Sequence, residues 1–212
     1  MPFSENVMML AAEAEAALVH NFAAIDKVAY ENTCRVMQAF KEERVSDACF
    51  AGTTGYGYDD RGREVLDRVW ARVFDTEMAL VRHNFVNGTH ALSTALFGLL
   101  RPNDTLLAVT GKPYDTLDGV IGIGGANGDG SLADFGVKYD AIEMRGGTVD
   151  NEAVCRRVRE DESVRVVFIQ RSKGYQNRRT LTPEEITATY NAVHAVRGQH
   201  LVHLGEIGMH HR

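Results

Sequence analysis

Hydrophobic residues recur every three to four positions through residues 5–44, with acidic and basic residues between them. This spacing is typical of amphipathic helices, which turn one apolar face toward a core. We predict two helices here, broken near His20-Asn21, with Ser4 as the candidate cap of the first. A loop rich in glycine, tyrosine and aspartate follows over residues 45–63. A further helix is predicted over residues 64–73.

After residue 75, short apolar runs alternate with helical stretches. The apolar runs predict buried strands at 78–81, 106–109, 137–142 and 164–169. The helical stretches are 89–100, 115–123, 151–160 and 183–197. Strands that alternate with helices indicate βαβ units and a mainly parallel sheet. We therefore predict an α/β fold with three αβα layers, preceded by N-terminal helices.

The last fifteen residues do not continue this alternation. A strand is expected after Arg197, yet residues 198–212 hold four histidines and three glycines. We therefore divide the chain into an N-terminal helical segment at 1–45, a partial large domain at 46–197 and a non-matching tail at 198–212. An unfinished sheet exposes a strand edge, so we expect low solubility or aggregation.

Composition and charge narrow the class of protein. Hydrophobic residues make up 44% of the chain and charged residues 25%, which is ordinary globular usage. The net charge of −6 disfavours binding to nucleic acid or to an anionic membrane. No apolar run reaches the ~18 residues of a membrane span, and the first residues lack a secretory signal pattern. Three separated cysteines suit the reducing cytoplasm, and the histidines of the tail lack the spacing of metal ligands.

The segment Asn87-Gly88-Thr89 predicts a tight turn that opens a helix. The first amide groups of a helix are free to bind an anion, and the helix dipole adds positive potential there. The hydroxyl of Thr89 can add a further contact to a phosphate. The same residues also suit an ordinary turn in which Asn87 or Thr89 caps the helix, so both interpretations stay open.

The loop over residues 52–63 combines glycines and tyrosines with aspartates and two arginines, Arg61 and Arg63. A guanidinium group can bind two oxygens of a phosphate or a carboxylate at once. Such loops often carry function. Alternatively, this is a surface loop whose aspartates and arginines pair with each other.

Two further segments follow predicted strands, at the edge where α/β sheets bind ligands. The first contains Lys112 and Tyr114, and the tyrosine ring can either stack on a flat ligand or lie on a surface turn. The second contains Gln170, Arg171 and Lys173, which form either a binding edge or an ordinary basic loop.

Taken together, four segments resemble one protein family. They are FAGTTGYGYDDRGRE at 50–64, NGTHALSTALFGLLRP at 87–102, TGKPYDTLDGVIGI at 110–123 and QRSKGY at 170–175. They resemble the methionine gamma-lyase-like proteins, also known as aluminium resistance proteins, among the fold type I pyridoxal-phosphate enzymes. The resemblance extends from about residue 5 to residue 197 and implies that pyridoxal 5′-phosphate is the cofactor.

The resemblance implies a role for each matching residue. Gly88 and Thr89 match the turn that holds the cofactor phosphate, although Asn87 stands where a small hydroxyl residue is expected. Tyr114 matches the aromatic residue that stacks on the pyridine ring. Three residues match a loop that reaches the cofactor phosphate of a neighbouring subunit: Tyr56, Tyr58 and Arg61. This match implies a homodimer or tetramer. Those expected near an amino-acid substrate are Arg171 and Tyr175.

Two groups that such enzymes need have no counterpart in the matching segments. One is the lysine that forms the Schiff base, and neither Lys112 nor Lys173 matches its position. The other is the carboxylate that keeps the pyridine nitrogen protonated. We therefore expect a truncated member of the family, inactive alone, whose complete relatives cleave carbon–sulfur bonds in sulfur amino acids. The alternatives are a non-catalytic module for cofactor binding or subunit assembly, and an unrelated phosphate-binding α/β enzyme.

Overall fold

A computed structural model describes residues 3–56, 60–125, 128–173, 176–198 and 202–206. The chain forms two compact units, Met1–Asn84 and Phe85–Arg212. Each unit has a hydrophobic core of its own.

The first unit begins with one long helix, α1, at Glu5–Glu42. The prediction of two helices broken near His20-Asn21 is therefore wrong. Histidine and asparagine are only modest helix formers, but the segment contains neither proline nor glycine, the residues that interrupt a helix. Ser4 stands at the cap position and its side chain makes no capping hydrogen bond.

The end of α1 packs against a second helix, α2, at Arg61–Phe74. Ala39 forms a small core with Val65 and Val69. The α2 helix begins earlier than predicted because the Asp60 carboxylate caps it by accepting from the backbone N–H of Arg63. A single 3-10 turn, Asp47–Phe50, interrupts the preceding loop.

Most of α1 is not covered by the rest of its unit. Exposed large hydrophobic side chains occur along it from Val7 to Phe40, and Ala39 is its one buried residue. Among the described residues, α1 is also the one helix long and apolar enough to cross a membrane by length and composition. Helices of soluble proteins pass the same test, so this is weak support for a membrane span.

The apolar run at 78–81 does not form the predicted strand. The backbone N–H of Val81 donates to Asp67 Oδ1 over 2.8 Å, and Arg82 Nη1 donates to the same oxygen over 2.6 Å. The segment therefore satisfies its backbone with a side chain of α2 instead of a neighbouring strand. This partner lies 14 residues away in sequence, where apolar patterning gives no indication of it.

The second unit contains a four-stranded parallel sheet, as the alternation of strands and helices predicts. Its strands are β1 at Thr105–Ala108, β2 at Lys138–Ala141, β3 at Val164–Gln170 and β4 at Val202–Glu206, in the order β2-β1-β3-β4. Its helices are α3 at Gly88–Leu99, α4 at Asp118–Ile121, α5 at Asn151–Glu160 and α6 at Pro183–Val196. A 3-10 turn at Asp115–Leu117 precedes α4, so the predicted helix at 115–123 is two short pieces.

Alternate residues of the central strands face two different cores, which gives the three predicted layers. Leu106 and Phe168 belong to the core that contains Leu96 of α3 and Ile121 of α4. On the other side of the sheet, a second core joins the central strands to α5 and α6; its members include Leu107, Val167, Val154 and Val193. Both faces of the central strands are therefore buried, which explains why their sequences are continuously apolar.

The expectation that the sheet breaks off after Arg197 is wrong. Strand β4 pairs in parallel with β3, with Val202 opposite Val166 and Glu206 opposite Gln170. The partners of β4 lie on β3, which is separated from it by the whole of α6. Pairing with a preformed strand can order a short segment whose own composition does not indicate a strand.

Candidate functional site

The segment that opens α3 provides free amide groups at the start of a helix. Asn87 caps the helix, because its Oδ1 accepts from the backbone N–H of His90 over 2.8 Å and its carbonyl accepts from Ala91. Among the described residues, the backbone N–H groups of Gly88 and Thr89 have no acceptor. Asn87 therefore has the capping role of the ordinary-turn interpretation, and it leaves two donors that can bind an anion.

A side-chain hydrogen bond joins α3 to the segment that contains Tyr114. Thr89 Oγ1 donates to Thr116 Oγ1 over 2.9 Å. Thr116 keeps its own hydroxyl hydrogen for another acceptor. Tyr114 lies two residues before Thr116 and is half-buried, at the cap position of the 3-10 turn. The hydrogen bond therefore joins the start of α3 to the turn that contains Tyr114.

The segment Gly111–Tyr114 is held in place from several directions. Gly111 has φ +77°, and a Cβ there would lie 2.6 Å from Glu143 Oε2, so the position requires glycine. Its backbone N–H donates to the carbonyl of Ile142. Gln170 Oε1 accepts from the backbone N–H of Tyr114 over 2.7 Å. This contact crosses from β3 to the turn after β1, so the sequence placed Gln170 at the binding edge but did not indicate that it contacts Tyr114.

Charged side chains lie beside this turn. Lys112 Nζ lies 2.6 Å from Asp118 Oδ2. Nearby, burial together with the carboxylates of Glu143 and Asp118 raises the pKa of Tyr139 to about 12, and burial is the largest cause. The Tyr139 hydroxyl and Asp118 Oδ1 are buried and have no hydrogen-bond partner among the described residues. The edge of the sheet thus contains polar groups that a ligand or water can satisfy.

The predicted substrate residues are only partly described. Arg171 Nε donates to the carbonyl of Leu181 over 3.1 Å, so one face of its guanidinium group is used within the fold. Lys173 is exposed. Tyr175 lies outside the described residues, and its role stays a prediction.

The glycine- and tyrosine-rich loop belongs to the first unit. Tyr56 is 83% exposed, and Arg61 is an exposed residue at the start of α2. Arg63 pairs with Asp60 over 2.9 Å, as the surface-loop alternative expects, whereas Arg61 makes no ion pair within the described part of the chain. Tyr58 lies outside the described residues.

In chemical terms, the site of the second unit suits a ligand with an anionic group and a flat ring. The amides of Gly88 and Thr89 supply donors at the positive end of a helix. The half-buried ring of Tyr114 supplies an aromatic surface. In the described ranges, no group of three or more histidine, cysteine, aspartate or glutamate side chains is placed to bind a metal ion.

Comparison with known proteins agrees with this architecture. The family model of methionine gamma-lyase matches residues 7–207. A carbon-sulfur lyase involved in aluminum resistance from Clostridium novyi NT has a similar structure, with a TM-score of 0.90 and 42% identity over 96% of this chain. A candidate cystathionine beta-lyase involved in aluminum resistance from Clostridium acetobutylicum gives a TM-score of 0.92 and 40% identity over 96% of this chain. Uncharacterized protein YnbB of Bacillus subtilis (strain 168) is 45% identical over 82% of this chain.

The chain spans about half the length of these relatives, 48% of each of the two clostridial chains and 41% of YnbB. The family match also continues ten residues past Arg197, into the segment expected to be unlike the family. A match over nearly the whole chain excludes the alternative of an unrelated phosphate-binding enzyme. This chain belongs to the methionine gamma-lyase family.

Proposed function

We propose that this chain is the part of a pyridoxal-phosphate-dependent carbon–sulfur lyase that holds the cofactor phosphate and ring. The observation that carries the proposal is the hydrogen bond between Thr89 and Thr116. It brings the free amides at the start of α3 next to the turn that begins at Tyr114. An anion site beside an aromatic ring is the combination that a phosphorylated pyridine requires.

The residues at this site fit the cofactor in number and chemical type. The amides of Gly88 and Thr89 would hold phosphate oxygens, and the hydroxyl of Thr116 can donate one further hydrogen bond. A methyl group at Gly88 would meet no atom within 4 Å, so the chain itself leaves this position open. Tyr114 would cover one face of the ring. When bound, pyridoxal phosphate supplies an electron sink for breaking bonds at the substrate carbon atoms.

For the complete enzyme we propose a sulfur amino acid as the substrate and carbon–sulfur bond cleavage as the reaction. The names of the two clostridial relatives, a carbon-sulfur lyase and a candidate cystathionine beta-lyase, support this assignment. Arg171 and Tyr175 are the proposed substrate contacts, since a guanidinium group pairs well with a carboxylate.

We propose that this chain alone is inactive. Of the lysines in matching motifs, Lys112 is engaged with Asp118, and Lys173 stands in an exposed loop. Neither matches the position of the Schiff-base lysine. A non-catalytic role in cofactor binding or assembly is the second candidate. It is favoured by the same observation, that neither Lys112 nor Lys173 matches the Schiff-base position.

A homo-oligomer is part of the proposal. Tyr56 and Arg61 are exposed and so remain accessible to the cofactor phosphate of a neighbouring subunit, the role proposed for them together with Tyr58. The exposed apolar side chains of α1 also favour association. We place the protein in the cytoplasm, an assignment supported by its three free cysteines, Cys34, Cys49 and Cys155.

Binding of pyridoxal phosphate tests the proposal directly. The purified chain is titrated with pyridoxal phosphate and with pyridoxal, and bound ligand is measured by equilibrium dialysis and absorption. We expect the phosphorylated form to bind more tightly. We expect Tyr114→Leu to weaken its binding by about fivefold, because stacking on an aromatic ring contributes on the order of 1 kcal/mol. Phe135→Leu is the matched control, since this exposed aromatic residue lies outside the site.

Equal and weak binding of the two compounds would contradict the cofactor assignment. Turnover is measured on the same preparation, as release of thiol or 2-oxo acid from methionine, cystathionine or cysteine. Ordinary enzymatic rates, or a lysine adduct fixed by borohydride, would overturn the proposed inactivity. Binding without either outcome supports the non-catalytic role.

A further inference from the structure

Gln170 is a polar residue in an otherwise apolar part of the sheet. It is the last residue of β3, a strand paired on both sides, and it is 2% exposed. The four residues before it, 166–169, are all buried and hydrophobic. A buried amide is costly unless its oxygen and nitrogen both find hydrogen-bond partners.

The amide of Gln170 meets this requirement through the turn that contains Tyr114. Its Oε1 accepts from the backbone N–H of Tyr114 over 2.7 Å, and its Nε2 donates to the carbonyl of Ser172 over 3.1 Å. One acceptor and one donor are needed, and the amide of glutamine supplies both. A glutamate would keep the bond to Tyr114 but would place a carboxylate oxygen against the Ser172 carbonyl.

Other contacts fix the remaining parts of the same turn. The Tyr114 carbonyl accepts from the backbone N–H of Leu117 over 2.9 Å. Gln176 Nε2 donates to the Lys112 carbonyl over 3.1 Å. Both the N–H and the carbonyl group of Tyr114 are therefore hydrogen-bonded. The partner of the N–H is the side chain of Gln170, at the end of β3.

We infer that Gln170 is a positioning residue: it fixes the backbone of Tyr114 so that the ring is preorganised for the cofactor. The inference rests on the proposed function, because it assigns a cofactor contact to Tyr114. Gln170 touches neither the cofactor nor the substrate in this role. Its effect is to remove conformations of the turn in which the ring would be displaced.

The test compares Gln170→Met with Thr110→Val. The first variant keeps the side-chain volume close to that of glutamine and removes the acceptor of the Tyr114 N–H. The second removes a buried hydroxyl that accepts from the Gln170 backbone N–H over 3.1 Å, and leaves the bond to Tyr114 intact. Gln170→Met loses the hydrogen bonds of its side chain to Tyr114 and Ser172, and Thr110→Val loses one buried hydrogen bond at the same strand end. Thermal melting measures how far each variant is destabilised.

Two readouts separate positioning from stability. Amide hydrogen exchange of the cofactor-free chain reports the Tyr114 N–H directly, and induced circular dichroism of pyridoxal phosphate reports how the ring is held. For Gln170→Met we expect about tenfold faster exchange at Tyr114, about tenfold weaker cofactor binding and a reduced dichroic signal, consistent with the loss of one hydrogen bond. For Thr110→Val we expect cofactor binding within about twofold of the unmodified chain, because it changes no contact of Tyr114.

Gln170→Glu serves as the rescue variant, because its carboxylate still accepts from Tyr114. We expect its Tyr114 amide to exchange more slowly than in Gln170→Met. Unchanged cofactor binding and dichroism in Gln170→Met, with normal binding by the unmodified chain, would overturn the inference. Failure of the unmodified chain to bind pyridoxal phosphate would instead overturn the proposed function, so the two failures are distinguishable.

Discussion

Two carboxylates of the second unit are held in their charged form by hydrogen bonds that the fold supplies. The pKa of Asp134 is lowered to about 2 mainly by backbone N–H groups of its own loop, with Gly128 contributing most. Hydrogen bonds from Ser163 and Arg157 lower the pKa of Asp161 to about 2. Each stabilises the fold when ionised, so each makes the folded state sensitive to acid.

Asp161→Asn tests this sensitivity. The folded pKa of Asp161 lies below its ordinary value of 3.8, so its contribution to stability is present above about pH 4 and is lost as the pH falls toward 2. We expect the variant to melt about 3–6 °C lower at pH 7, because hydrogen bonds to a charged group contribute about 1.5 kcal/mol or more. The difference should shrink as the pH approaches 2, which melting curves across a pH series will measure.

Glu160→Gln is the control, because Glu160 makes no ion pair within the described part of the chain. It should leave the melting temperature nearly unchanged at every pH. If the melting temperature of Asp161→Asn lies as far below that of the unmodified chain at pH 2.5 as at pH 7, the charge of Asp161 is not what stabilises the fold.

At the scale of elements, the sequence signal for the start of α6 was reliable because the contacts involved are local. Thr182-Pro183 with two acids predicts a helix start, and α6 begins there with a full capping box. Thr182 Oγ1 accepts from the backbone N–H of Glu185, and Glu185 Oε2 accepts from that of Thr182. The predicted break in α1 failed because amphipathic spacing indicates a helix but does not indicate where it ends.

Thr182→Ala measures the contribution of this cap. Loss of a capping side chain costs about 1 kcal/mol, so we expect the melting temperature to fall by about 2–4 °C. Thr180→Ala is the matched control, since Thr180 is exposed and makes no hydrogen bond among the described residues. Equal melting temperatures for the two variants would contradict a stabilising role for the capping box.

At the scale of the whole molecule, α1 carries more exposed large hydrophobic side chains than any other element of the described part of the chain. Leu18 and Ile25 lie seven residues apart, on one face of this helix, and both are more than 40% exposed. Contiguous exposed apolar surface promotes association. We therefore expect this face to contribute to the proposed homo-oligomer.

We expect Leu18→Glu combined with Ile25→Glu to reduce self-association, because it places two charges on that face. Light scattering over a range of concentrations measures the change in mass. Asn6→Glu combined with His20→Glu is the control, since it adds the same formal charge to α1 away from Leu18 and Ile25. The outcome that contradicts this prediction is a monodisperse monomer of the unmodified chain at every concentration.

The sequence by itself determined the class of fold and most of the elements, apart from the unbroken α1, the segment at 78–81 and β4. Buried strands and capped helices depend on contacts within a few residues, and their periodicity can be read directly from the chain. The long motifs at 50–64, 87–102, 110–123 and 170–175 also identified the family, because each keeps several specific residues in order.

Only the tertiary structure decided which of these residues meet. Gln170 and Tyr114 are 56 residues apart, and Thr89 and Thr116 are 27 apart, yet both pairs are joined by hydrogen bonds. The strand order and the pairing of β4 with β3 were likewise unavailable to local patterns. The physical reason is that such contacts depend on how separate elements pack, and a polar side chain at the end of a strand finds its partner only after the sheet has formed.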